Sequence, residues 1–120
     1  MDSLQIIVGL GRSGAGAAKL LHSEGEKILV IEKSKEKDCS LLKQELQELG
    51  ISIAFEKPLI ISSFKPWLKE LSSVVISPAV PWDHATLNEL RRLGIKVQGE
   101  ISLAWERLKH IPWIGITGTN

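Results

Sequence analysis

The chain has 120 residues, of which 43% are hydrophobic, and a single domain of this size buries roughly two thirds of its unfolded surface, so one real core is possible. With 15 basic against 14 acidic residues there is no electrostatic footprint for nucleic acid or anionic lipid, and any bound anion must be held by local geometry. Cys39 is the single cysteine, which excludes an intrachain disulfide or a cysteine zinc cluster and fits a reducing, cytoplasmic setting; the first apolar run is too short for a signal peptide or a membrane span.

The first strand reads from the apolar run Gln5-Ile6-Ile7-Val8. It runs into Gly9-Leu10-Gly11-Arg12-Ser13-Gly14, whose G-x-G-x-x-G spacing fits a phosphate-binding turn at a helix start. As a bare pattern it is also a tight strand-to-helix connection. The first helix is expected from about Ser13 to Ser23, with Gly14, Ala17, Ala18 and Leu21 toward a sheet and Gly25 as a left-handed cap. A second strand, Lys27 to Ile31, ends in Glu32, which lies 18 residues after Gly14, roughly where a dinucleotide fold places its ribose-binding acid. Taken alone, that acid points to NAD.

After the charged stretch Lys33 to Lys37, the recurrence of Leu42, Leu46 and Leu49 up to Gly50 predicts a second helix. Ile51 to Phe55 alternates like a half-buried third strand, which Pro58 prevents from continuing. Pro66, Trp67, Leu68 and Leu71 read as a short helix. The continuous run Ser73 to Ile76 before Ser77-Pro78 is the pattern of a strand buried on both faces. Asp83 is expected to cap a further helix that turns Leu87 and Leu90 inward and stops at Gly94. Ile95 to Gln98 alternates as an edge strand, and Ile101, Trp105 and Leu108 line one side of a last helix. Ile114 to Thr117 then reads as another apolar strand, running into a second glycine-containing loop, Gly118-Thr119-Asn120.

Repeated alternation of strand and helix predicts an α/β fold, a Rossmann-like open parallel sheet of five strands in the order 3-2-1-4-5 with helices on both faces. In such a sheet ligands bind where the strand order reverses, between the C-terminal ends of strands 1 and 4. Gly9 to Gly14, Glu32 to Ser34 and Ser77-Pro78-Ala79-Val80-Pro81 are the loops that converge there. Trp82 flanks the last of these, either packed or free to stack on a base. His22, His84 and His110 have no metal-ligand spacing, and no metal site is expected.

The combination of G-L-G-R-S-G, S-P-A-V-P, G-E-I-S-L-A and I-T-G-T-N resembles, over the whole chain from about Gln5 to Asn120, the N-terminal third of the MurD-type Mur ligases of peptidoglycan synthesis. T-G-T-N carries more weight than the glycine fingerprint, because it leads into the T-G-T-N-G-K-T phosphate loop typical of that family. The family commonly has S-P-G where this chain has Ser77-Pro78-Ala79. The resemblance implies a UDP-binding domain over residues 1–111, with 112–120 as the first strand and P-loop lead-in (Thr117, Gly118, Thr119, Asn120) of a central ATP-binding domain. It implies UDP-N-acetylmuramoyl-L-alanine as the substrate held here. ATP and Mg would serve the full-length enzyme, in which ATP phosphorylates the alanyl carboxylate and the amine of D-glutamate displaces phosphate. No cofactor, nucleic acid, membrane or catalytic residue is expected for the fragment itself.

On this reading the UDP diphosphate takes backbone N–H groups from Gly11 to Gly14, with Arg12 and the Ser13 hydroxyl as added donors, although Arg12 also fits a solvated surface residue. Glu32, an acceptor when ionised, is placed for the uracil N–H or a ribose hydroxyl, or is a strand-end carboxylate in water. Lys33 and Ser34 are placed to donate to uracil carbonyls. Ser77 and Ala79 border the sugar and phosphates, with Pro78 beside them or serving as a loop stiffener. The rival readings are an NAD-dependent oxidoreductase and a nucleotide-sensing regulatory domain; Glu32 suits both, and Thr117 to Asn120 suits neither.

Overall fold

The computed structural model describes residues 3–100 together with Ser102, Leu103 and Trp105; for Arg12, Ser13, Asp38, Cys39 and Ser40 it describes the backbone alone. Among the described residues, the strands β1 (Leu4–Val8), β2 (Lys27–Ile31), β3 (Ser52–Ala54), β4 (Leu71–Ile76) and β5 (Lys96–Gly99) are joined by connections that include the α-helices α1 (Arg12–Ser23), α2 (Ser40–Glu48) and α3 (Ala85–Arg92), and a helical segment follows β5. The strands form one sheet in the order β3-β2-β1-β4-β5. Every pairing in it is parallel. The expected α/β class and strand order are therefore those observed.

Side chains alternate across a strand, so successive apolar residues in the central strands feed two separate layers. Ile6, Leu29, Ile31, Val74 and Ile76 pack on one face with Phe64, Leu87 and Leu90. On the other face, Ile7, Val30 and Val75 pack with Ala15, Ala17, Ala18 and Leu21 of α1 and Leu46 of α2. The small residues of α1 let its backbone approach the sheet. At its end Gly25, with φ +81, stops the helix in the left-handed conformation that a side chain would resist.

Four expectations are corrected. Between β3 and β4 there is no α-helix: two 3-10 turns, Ile61–Ser63 and Lys65–Trp67, make the crossover, and Leu71 already belongs to β4. Phe64, between those turns, is fully buried and fills the layer a helix would have covered. The carbonyls this irregular crossover leaves over are taken by side chains: Ser63 Oγ donates to the Pro58 carbonyl at 2.7 Å and Thr86 Oγ1 to that of Leu59 at 3.0 Å. Asp83 does not cap α3. The helix starts one residue later, and His84 Nδ1 accepts from the Thr86 N–H at 3.1 Å.

Leu49 lies beyond the end of α2 and is 45% exposed, so the buried stripe of that helix rests on Leu46 with Leu42 half-buried. In the helical segment after β5 the buried apolar residue among those described is Leu103, whereas Trp105 is 55% exposed. The expected contributions of Ile101 and Leu108, and the strand and loop expected over 112–120, lie outside the described residues.

Candidate functional site

A cleft of about 270 Å³ opens at the C-terminal ends of β1 and β4, lined by Val8, Gly9, Leu10, Gly11, Gly14, Glu32, Ser77 and Glu100. It sits at the point where the strand order reverses, the place the topology assigns to a ligand. Each glycine of the loop has a different physical reason to be there. Gly9 has φ +100 and turns the chain out of β1. Gly14 packs α1 onto that turn, since a Cβ there would lie 2.2 Å from the Gly9 carbonyl oxygen. Gly11 has an ordinary extended backbone (φ −109) and nothing within 4 Å of where its Cβ would be. Neither turn nor packing asks for glycine at position 11, and the backbone there lines the open cleft.

The start of α1 has Gly11 as its N-cap, no side-chain capping bond and no acidic residue in its first turn. Helix N-termini leave N–H groups without intrahelical partners and carry a partial positive charge, which favours an anion.

Glu32 is 8% exposed, and its carboxylate is held from two sides. Oε1 accepts from the Leu10 N–H at 2.6 Å and Oε2 from the Ser34 N–H at 2.9 Å. Burial pushes this carboxyl upward, but the N–H bonds from Leu10 and Ser34, the Ser34 hydroxyl and the Lys33 ammonium together outweigh it and hold it below its ordinary value. It is therefore ionised at neutral pH and is not a carboxylate in open water. The Ser77 hydroxyl accepts from the Ala79 N–H at 3.1 Å, and the Ser77 carbonyl from the Val80 N–H at 3.0 Å, which folds this loop tightly at the cleft edge. Among the described residues Glu56 is the one non-glycine with positive φ, so Ala79 stands in ordinary backbone and the glycine common at this point is not needed for conformation.

The structure thus brings Gly11, Gly14, Glu32 and Ser77 to one cleft. Lys33, Pro78 and Ala79 are exposed, Ser34 is half-buried, and none of the four lines it. The side chains of Arg12 and Ser13, and Thr117, Gly118, Thr119 and Asn120 entirely, lie outside the described residues. Glu100, 6% exposed, is a cleft residue that the sequence did not single out. Its signal was positional, because the first residue after a parallel strand's C-terminal end faces the same edge as the ligand loops. Trp82 is 57% exposed and stacks under the Arg91 guanidinium, 4.3 Å from the ring centroid, so it neither packs in the core nor lines the cleft.

A groove of about 410 Å³ at the opposite, N-terminal end of the strands is lined by Leu4, Glu26, Lys27, Trp67 and Glu70, among others. Its charges are satisfied within the protein: Lys27 pairs with Glu70 at 2.6 Å and Glu26 accepts from Gln5 at 2.8 Å. The smaller cleft is the better candidate, because it is where backbone donors and empty space coincide.

Residues 3–99 match the family model described as Mur ligase MurD-like, N-terminal domain. The chain belongs to this family. A UDP-N-acetylmuramoylalanine--D-glutamate ligase of Synechococcus sp. (strain CC9902) is 52% identical over 118 residues, 98% of this chain and 26% of the relative. Its namesake from Prochlorococcus marinus (strain MIT 9313) is 50% identical over 115 residues, 96% of this chain and 25% of the relative. The chain therefore spans about a quarter of the length of these curated relatives.

Among solved structures, the Mur ligase domain is similar in fold to UDP-N-acetylmuramate-alanine ligase MurC of Thermotoga maritima (TM-score 0.62, 20% identity, 90% of this chain and 23% of that one). It is likewise similar to the UDP-N-acetylmuramate:L-alanyl-gamma-D-glutamyl-meso-diaminopimelate ligase of Neisseria meningitides (TM-score 0.71, 17% identity, 94% and 33%).

Proposed function

We propose that this Mur ligase domain anchors the UDP end of UDP-N-acetylmuramoyl-L-alanine for an ATP-dependent, cytoplasmic ligase that adds D-glutamate in peptidoglycan synthesis. The observation that carries the reading is Gly11, with open space over its Cα at the uncapped start of α1. The names of the relatives supply the identity of the ligand. In this reading the diphosphate lies over Gly11 to Gly14, with Arg12 and Ser13 adding donors and the Ser77 hydroxyl beside it. Uracil and ribose lie toward the end of β2, where the Lys33 ammonium donates to a carbonyl; the N–H and hydroxyl of Ser34, expected to donate there too, are taken by Glu32. With the Leu10 and Ser34 donors in place, the Glu32 carboxylate keeps room to accept from a further donor.

ATP and Mg, implied for the full-length ligase, are assigned to no described residue. Thr117 to Asn120 would lead into the loop that holds the nucleotide, and D-glutamate would be brought by a later domain. No described helix is long and apolar enough to cross a membrane. Titration calorimetry of the 120-residue chain tests the proposal. UDP should bind weakly, on the order of millimolar or somewhat tighter, about 4 kcal/mol or a little more. Tight NADH binding with no response to UDP would overturn it in favour of a dinucleotide enzyme.

A further inference from the structure

Glu32 sits at the end of β2 but reaches into the loop after β1. Its two carboxylate oxygens hold the Leu10 N–H (2.6 Å) and the Ser34 N–H (2.9 Å), one from each of the loops expected to meet the two halves of a nucleotide. Leu10 itself is buried, 6% exposed, in the layer under α1, so the loop is fixed on both sides of the Gly9 turn. The second loop is tied down as well. The Glu32 N–H donates to Ala54, the Lys57 N–H to the Glu32 carbonyl and the Glu56 N–H to the Ser34 carbonyl, at 2.9, 2.9 and 3.1 Å.

We propose that Glu32 is a positioning residue, whose carboxylate fastens the glycine loop to the loop after β2 and so orders the diphosphate half and the base half of the cleft together. The ligand assignment rests on the UDP-anchoring reading above; the fastening does not. By drawing the Leu10 N–H inward, the carboxylate leaves the donors from Gly11 onward, at the uncapped start of α1, to face an anion. A glutamine could accept one of the two bonds and would turn its own N–H groups toward the other donor. Among the described residues, the Lys33 ammonium acts on the carboxylate, Glu100 shares its cleft, and Glu56 and Lys57 lie on the segment whose backbone bonds to the Glu32 loop.

Two measurements on the 120-residue chain test this. In the ligand-free protein, the Leu10 and Ser34 amide proton resonances should move together as acid protonates the carboxylate, and Glu32→Gln should abolish that joint titration while leaving the rest of the spectrum native. Independent or absent titration would overturn the fastening, whether or not UDP binds. Calorimetry with UDP and with inorganic diphosphate gives the second readout. Glu32→Gln should weaken both, by at least about tenfold each, because charged hydrogen bonds order the loop. Glu32→Asp, which keeps the charge, should recover part of the diphosphate affinity. If the variant loses UDP but binds diphosphate as before, the carboxylate contacts base or ribose alone, and the positioning role is wrong while UDP anchoring stands. If the wild-type chain binds neither, the anchoring reading fails and the amide titration alone decides the fastening.

Discussion

Gly11 and Gly14 stand three residues apart in one loop and should respond oppositely to substitution. At Gly11 the backbone is ordinary and a side chain has empty space, so Gly11→Val should stay folded, with a stability change within about 1 kcal/mol, while UDP binding is lost. At Gly14 an added methyl would lie 2.2 Å from a backbone oxygen that cannot swing away, so Gly14→Ala should cost at least the roughly 1–3 kcal/mol of overpacking. Denaturant melts and UDP-induced chemical shifts on both variants check the pair. Unchanged shifts in folded Gly11→Val would remove the cleft as the ligand site. Glu32 adds a pH dependence. Its folded carboxyl lies below the ordinary value, so its contribution to stability is fully present above the unfolded value of about 4.3 and is lost as pH falls through the folded one. The stability difference between wild type and Glu32→Gln should therefore be constant above about pH 5 and shrink toward zero in stronger acid. A difference that grew on acidification would contradict the sign.

The start of α3 separates two adjacent polar residues that a sequence treats alike. His84 caps the helix through Nδ1, whereas Asp83 offers its backbone carbonyl to Asn88 Nδ2 at 3.0 Å. His84→Ala should cost about 1 kcal/mol in a denaturant melt and Asp83→Ala less than about 0.5; the reverse ranking would put the cap back at Asp83. Propensity favours aspartate, but the Pro81 carbonyl takes the His84 N–H at 3.1 Å and the turn delays the helix by one residue. The same contrast runs through the fold. The central strands were legible because strands buried on both faces must be apolar without interruption, as Ile28 to Ile31 and Val74 to Ile76 are. The crossover through Phe64 was not, since short 3-10 turns leave no period to read. In the site, the glycine spacing revealed Gly11 and Gly14. It could not show that Glu32 bonds to Leu10, because that contact depends on how two loops distant in sequence are set side by side by the sheet.

At the scale of the whole molecule, the sheet and both apolar layers seen among the described residues draw on side chains from Leu4 to Leu103. Among the described residues the deepest side chains include Ile6, Ile7, Leu21, Ile31, Phe64, Leu87, Leu90 and Leu103. The family model matches residues 3–99 and so stops at the end of β5. Residues 112–120 are read as the start of a following ATP-binding domain, whose apolar Trp113, Ile114 and Ile116 would belong to that domain's core. Deleting 112–120 should therefore lower stability by less than about 1 kcal/mol, in the range of changes that touch no core. It should also reduce concentration-dependent self-association, because an apolar strand without its own sheet can add to the edge of another copy. Denaturant melts and sedimentation of the two lengths decide the point. A loss of several kcal/mol on deletion would mean that the segment pairs with β3 or β5 as a sixth strand, and the boundary between the two domains would have to move beyond it.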